Sequence, residues 1–131
     1  WWLAIQQTRQ KGHPILLNEY GHLTETPAAN FLIAQDKKLL SPRKTDILNG
    51  VSLWFVENLC EELGLMLQEE DMTLARCQEA DEALICGTAF GLAPVRSIEG
   101  VKLTSPGPIF EQLHRLWSER VGLDLREHVL T

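Results

Sequence analysis

The chain has 131 residues, 44% of them hydrophobic and 23% charged, which is the size and composition of one domain with a buried core. Its 12 basic and 18 acidic residues leave a formal charge of −6, and the neighbouring cations Lys37, Lys38, Arg43 and Lys44 make no basic surface, so no nucleic-acid partner is expected. No run approaches the ~20 apolar residues of a membrane span, and the first residues lack the charged, apolar, small-residue order of a signal peptide.

In chain order, residues 1–11 are helical in pattern, with Gly12 as C-cap and Pro14 beyond it. The helix begins at Trp1 and Trp2 without a cap residue, as if entered midway. A strand Ile15–Leu17, the turn Asn18–Gly21 and a strand His22–Glu25 predict a hairpin. A bend of small residues, Thr26–Ala29, precedes a strand through Phe31–Ala34. The turn at Asp36-Lys37 is expected to be loose, and the return strand Leu39-Leu40 is stopped by Ser41-Pro42.

The polar loop Arg43–Asn49 leads through Gly50 into the strongest helix, Val51–Leu63, closed by Gly64. Its apolar positions Val51, Leu53, Trp54, Phe55, Leu59 and Leu63 recur near the helical period. Met66-Leu67 opens another strand, and Thr73 caps a short helix running to about Ala80, with Glu79 and Asp81 as solvated surface. Ala83–Cys86 reads as a buried strand. Pro94–Ile98, the turn Glu99-Gly100 and Val101–Leu103 predict a second hairpin, and Pro108 introduces a last helix, Ile109–Val121. Strands interleaved with helices make this an α/β domain around a mixed sheet with flanking helices.

Cys60, Cys77 and Cys86 are odd in number and lie in apolar surroundings, which fits buried reduced thiols and a cytoplasmic setting. His13, His22, His114 and His128 have no zinc-type spacing with one another or with the cysteines, so no metal site is expected.

Three segments combine small residues with a polar group at a strand end, where ligand sites form. In Thr24–Asn30 the Glu25 carboxylate points into a cleft or is a surface glutamate. In Leu48–Ser52 a glycine turn opens a helix, which makes a phosphate site from free N–H groups and the Ser52 hydroxyl, or a plain cap. In Cys86–Gly91 small residues let a ligand reach the backbone amides beside the Thr88 hydroxyl, or serve a tight turn.

The order and spacing of GHLTETPAANFLI, LLSPRKTDILNGVSL, EELG and ADEALICGTAFGLAPVRSIEG resemble the C-terminal domain of the class-IV aminotransferases. That fold-type IV group holds branched-chain and D-amino-acid aminotransferases and aminodeoxychorismate lyase, and the resemblance covers nearly the whole chain. It implies the D-amino-acid aminotransferase-like fold, pyridoxal 5′-phosphate (PLP) as cofactor, an amino acid and a 2-oxo acid as substrates, and a homodimer.

By the resemblance, Glu25 binds the pyridine nitrogen of the cofactor and keeps it protonated. Leu48 packs on the ring face. The amides of Val51 and Ser52, with the Ser52 hydroxyl, form the phosphate cup, and Thr88 adds a second hydroxyl. Gly87, Thr88 and Ala89 face the substrate carboxylate, while Asn30 holds the bend after the acid. The family's Pro-Gly-Ile-Thr-Arg is here Asn49-Gly50-Val51-Ser52-Leu53, without the arginine.

The Schiff-base lysine of the family is expected a few residues before Trp1, outside the chain, since none of Lys11, Lys37, Lys38, Lys44 or Lys102 fits its place. The expectation is therefore the C-terminal half of a two-domain enzyme, inactive alone, with Trp1, Trp2 and Trp54 as candidates for a face toward the N-terminal domain or a second subunit. The alternatives are a lyase of the same family and a non-catalytic binding domain or degenerate homologue.

Overall fold

A computed structural model describes residues 14–27, 29–48, 50–87 and 91–121. The predicted helix over residues 1–11 and its Gly12 cap lie outside them. The centre of the fold is strand β2, Ala29–Gln35, nearly all of it buried because both faces are covered. Leu32 and Ala34 enter one core cluster, and Phe31 and Ile33 the other.

Strands β1 (Glu25–Thr26) and β3 (Lys38–Ser41) pair with opposite ends of one edge of β2, and β5 (Glu82–Gly87) takes its other edge. Strand β4 (Met66–Glu69) runs parallel to β3, and β6 (Gly91–Val95) is antiparallel to β5. The sheet is therefore mixed, in the order β4-β3-β2-β5-β6, with β1 beside β2.

Helix α1 (Val51–Leu63) joins the parallel pair β3 and β4 and packs with helix α3 (Pro108–Val121) on one face of the sheet. Leu53, Val56, Leu59 and Cys60 of α1 meet Leu32, Leu39 and Leu84 there, and Phe55 sets its ring edge-on to Trp117 at 4.8 Å. Burial corrects the predicted apolar stripe of α1, since Val51 and Trp54 point outward, 72% and 63% exposed. Gly64 ends α1 in the left-handed conformation at φ 71°, its N–H returning to the carbonyls of Cys60 and Glu61. The opposite face is closed by Met72, Cys77, Ala80 and Ile98.

Several expectations shift. The first hairpin forms, with Leu16 bonded to Thr24 and Glu25, Asn18 to His22 and a bridge at Leu17 and Leu23, but its only regular strand among the described residues is β1, which pairs with β2. Its turn is held by the Asn18 carboxamide oxygen, which accepts from the N–H groups of Tyr20 and His22 at 2.9 and 3.0 Å. The turn at Asp36-Lys37 is tight, not loose: both residues have positive φ, 51° and 64°, between the paired Gln35 and Lys38. Strand twist imposes this primed geometry although the sequence offers no glycine.

Helix α2 (Leu74–Gln78) begins at Thr73 as expected, where the hydroxyl accepts from the Arg76 N–H at 3.1 Å, but stops short of Ala80. Pro94 and Val95 belong to β6, because Leu92 is drawn into the core beside Cys86. The second hairpin is therefore shorter, β7 (Ser97–Ile98) with β8 (Val101–Lys102).

Glu82 is a buried carboxylate that the sequence reading passed over. At 2% exposed, it accepts the N–H groups of Ile109 and Phe110 at 2.8 and 3.0 Å, capping α3 from across the fold. A Cβ on Gly107 would fall 2.2 Å from Glu82 Cδ, so glycine is required there. The three cysteines are buried free thiols.

Candidate cofactor site

The site begins with a register. Glu25 on β1 lies opposite Asn30 on β2, and residues paired in this way project from the same face of the sheet. The buried Asn30, 7% exposed, donates through Nδ2 to Glu25 Oε2 at 3.2 Å and to the Leu48 carbonyl at 2.8 Å. The Leu48 N–H in turn points at both Glu25 oxygens, 3.3 Å from each. Leu48 is thus gripped by its N–H and its C=O, and its side chain is left 76% exposed beside the acid.

Desolvation by partial burial raises the Glu25 carboxyl above its ordinary value, and the Leu48 N–H opposes that rise less strongly. No cation meets this carboxylate among the ion pairs of the described residues.

Gly50 is the N-cap of α1, with extended backbone at φ −74° and ψ 164°, and among the described residues no side chain caps the helix. The first turn of α1 also carries no acidic residue. Its leading N–H groups and the positive end of the helix dipole are left for an anion. Val51 is the first helical residue and Ser52, buried, the second. Gly50 itself is confined, since a Cβ there would stand 3.2 Å from Asn30 Oδ1.

The third segment reaches the same end of the sheet. Cys86 pairs with Asn30, and Gly87 follows it, closing β5 opposite Gly91, whose φ is 79°. Thr88 and Ala89, assigned from the resemblance, lie outside the described residues. Glu25, Asn30 and Leu48 are therefore joined by pairing and hydrogen bonds at one sheet end, with Gly50 close to Asn30 and Gly87 following its partner Cys86. Asn30 holds the bend as expected, through its bond to Glu25 across it, and the Thr26 hydroxyl adds a second tie by donating to the Ala29 carbonyl at 3.2 Å. Only the strand register, invisible in the sequence, turns the Asn30 amide toward two segments at once. Among the described residues no three His, Cys, Asp or Glu side chains form a metal-holding group.

An acid and a helix N-terminus whose N-cap is glycine are thus brought together through one buried amide. The chain belongs to the amino-transferase class IV family, whose profile matches residues 2–98. It is 29% identical over 130 residues to a branched-chain-amino-acid aminotransferase of Pseudomonas aeruginosa, covering 96% of this chain and 42% of that protein. It is 37% identical over 113 residues to a D-alanine aminotransferase of Bacillus licheniformis, covering 82% of this chain and 40% of that one. The PLP-form (holo-form) structure of a branched-chain amino acid aminotransferase from Thermobaculum terrenum superposes with a TM-score of 0.84 at 30% identity, over 95% of this chain and 43% of its own. The chain thus spans about two fifths of the length of the relatives it matches.

Proposed function

We propose that this chain is the C-terminal, cofactor-binding part of a PLP-dependent aminotransferase that moves an amino group between an amino acid and a 2-oxo acid. One observation carries the reading: the Glu25 carboxylate and the uncapped N-terminus of α1 are held together through Asn30 and Leu48. The donor set fits the cofactor, since among the described residues no ion pair reaches Glu25 and the first turn of α1 carries no acidic side chain. Bound PLP supplies an electron sink for the carbanion left when a proton leaves the amino acid Cα.

Glu25 accepts the N–H of the ring nitrogen and so keeps its proton in place. The exposed Leu48 side chain gives the ring an apolar surface. The N–H groups of Val51 and Ser52, with the Ser52 hydroxyl, hold the phosphate, and Thr88 adds a second hydroxyl. Gly87, Thr88 and Ala89 orient the substrate carboxylate through their amides.

The described lysines are engaged elsewhere: Lys44 pairs with Glu57 at 2.9 Å, Lys37 lies in the β2–β3 turn, Lys38 opens β3 and Lys102 sits on β8. In this reading the catalytic lysine lies a few residues before Trp1 in the parent protein, a cytoplasmic homodimer, whose N-terminal domain supplies the other wall of the site. Coverage of only two fifths of the relatives supports this division.

Titration of the 131-residue chain with PLP, followed by absorbance, should show binding that inorganic phosphate competes away and Glu25→Gln weakens. Borohydride should trap no lysine adduct at a specific site, and specific trapping at Lys11 would overturn the account. In the intact parent, Glu25→Ala should lower turnover far more than cofactor retention. Equal loss of both would make Glu25 structural.

A further inference from the structure

We propose that Asn30 is a positioning residue for this reaction, its one carboxamide fixing the acid at the ring end of the site relative to the loop that enters the phosphate end. The inference rests on the function proposed above and assigns a task to a side chain that touches neither cofactor nor substrate. Four observations carry it. Asn30 stands opposite Glu25 in the β1–β2 register, so their side chains share a face. Its Nδ2 serves two acceptors, the Glu25 carboxylate at 3.2 Å and the Leu48 carbonyl at 2.8 Å. The bend between β1 and β2 has a further tie of its own, the Thr26 hydroxyl donating to the Ala29 carbonyl, so it does not rest on the Asn30 amide alone. Its Oδ1 faces Gly50, where even a methyl group would press on it at 3.2 Å.

The chemistry of the two acceptors selects asparagine. Both neighbours accept, so only a side chain with two N–H donors on one atom satisfies them together. Aspartate has no donor when ionised and sets a second negative charge against Glu25. Serine donates once. Glutamine keeps the group but moves it by a methylene. With the amide in place, Leu48 is tied from both sides, its N–H to Glu25 and its C=O to Asn30, so its backbone has one position relative to the acid.

The test follows the Glu25 side-chain carboxyl of the 131-residue chain by carbon NMR across pH, without cofactor. In the unsubstituted chain the Asn30 Nδ2 resonance should titrate together with the Glu25 carboxyl. Asn30→Ala should move the Glu25 midpoint upward, since a donor to the charged form is lost, and Asn30→Asp should move it further. Gly50→Ala keeps Asn30 but displaces its Oδ1, and should move the midpoint in the same direction. Affinity for PLP should fall about tenfold in Asn30→Ala, as expected for one lost hydrogen bond to a charged group.

An Nδ2 resonance that stays flat through the Glu25 transition overturns the proposal without reference to any variant. A folded Asn30→Ala chain with an unmoved Glu25 midpoint, or with unchanged affinity, also overturns it. The titration needs no cofactor, so failure of the chain to bind PLP at all would sink the proposed function while leaving the Asn30–Glu25 coupling decided on its own evidence.

Discussion

Removal of the Glu82 carboxylate is the most informative perturbation of the fold. Glu82→Ala removes the carboxylate that accepts from the buried Ile109 and Phe110 N–H groups at the head of α3. Each unsatisfied donor costs about 1–3 kcal/mol, and loss of a cap facing the helix dipole adds to this. The expected loss is about 3–5 kcal/mol, a large part of the ~5–15 kcal/mol that holds a domain of this size together.

Gly107→Ala should be comparably harmful by a different route, since its Cβ would lie 2.2 Å from Cδ, 2.4 Å from Cγ and 2.4 Å from Oε1 of the same side chain. The two changes are therefore coupled, because with Glu82 truncated the new methyl enters vacated space. The double variant should be more stable than the sum of the singles predicts by at least about 1 kcal/mol. Urea unfolding followed by tryptophan fluorescence, with Trp117 in the core as the reporter, measures all corners of the cycle. Additive losses, or a Glu82→Ala loss below about 1 kcal/mol, would refute the reasoning.

Glu25 has a raised carboxyl pKa, so its protonated form is favoured by folding, and the stability it contributes is present below the unfolded value and lost as pH rises through the folded one. Glu25→Gln should therefore gain thermal stability over the unsubstituted chain as pH rises from about 4 to 7, and a gap that closes over that range would contradict it. Burial pushes the thiols of Cys60, Cys77 and Cys86 up to about 12, 11 and 12, so a thiol reagent near pH 8 should label none of them until denaturant is added. Fast labelling of Cys86 in the folded chain would show that β5 is open. Lys37→Gly should stabilise the chain by about 1 kcal/mol in urea melts by relieving a side chain held at positive φ, and a loss of stability would argue against the primed turn.

What could be read from the sequence was local. Helix α1 was legible because Leu53, Leu59 and Leu63 repeat at its period and Gly64 stops it, and β2 because an unbroken apolar run between turn residues has to be covered on both sides. Spacing of the ligand-type segments led to the family without any knowledge of the register. What was not legible depends on contacts between distant residues. Glu82 follows the solvated Asp81 and looks like more surface until α3 is placed over it. Val51 and Trp54 fit an apolar stripe by spacing, yet lie off the arc that faces the sheet. The turn at Asp36-Lys37 was misjudged because residue preference is weaker than the twist of the strands it joins.

The features that cost the chain stability meet at one end of the sheet. Among the described residues no cation pairs with the partly desolvated Glu25, the Gly50 N-cap gives α1 no capping side chain and its first turn no acid, and the side chains of Leu48 and Val51 stand in solvent. Each departs from what folding alone favours, while elsewhere the same chain obeys those preferences: Thr73 caps α2, Glu82 caps α3, and Gly64 closes α1. A capping side chain at position 50 would serve the helix, but it would occupy the space against Asn30 Oδ1 and compete for the N–H groups at the head of α1. A cation at Glu25 would lower its carboxyl pKa at the expense of a protonated ring nitrogen. In the proposed function a ligand with a protonated nitrogen, a flat ring and a phosphate would satisfy the acid, the open leucine and the helix end together, and Asn30, bonded to both Glu25 and Leu48, would keep them in register.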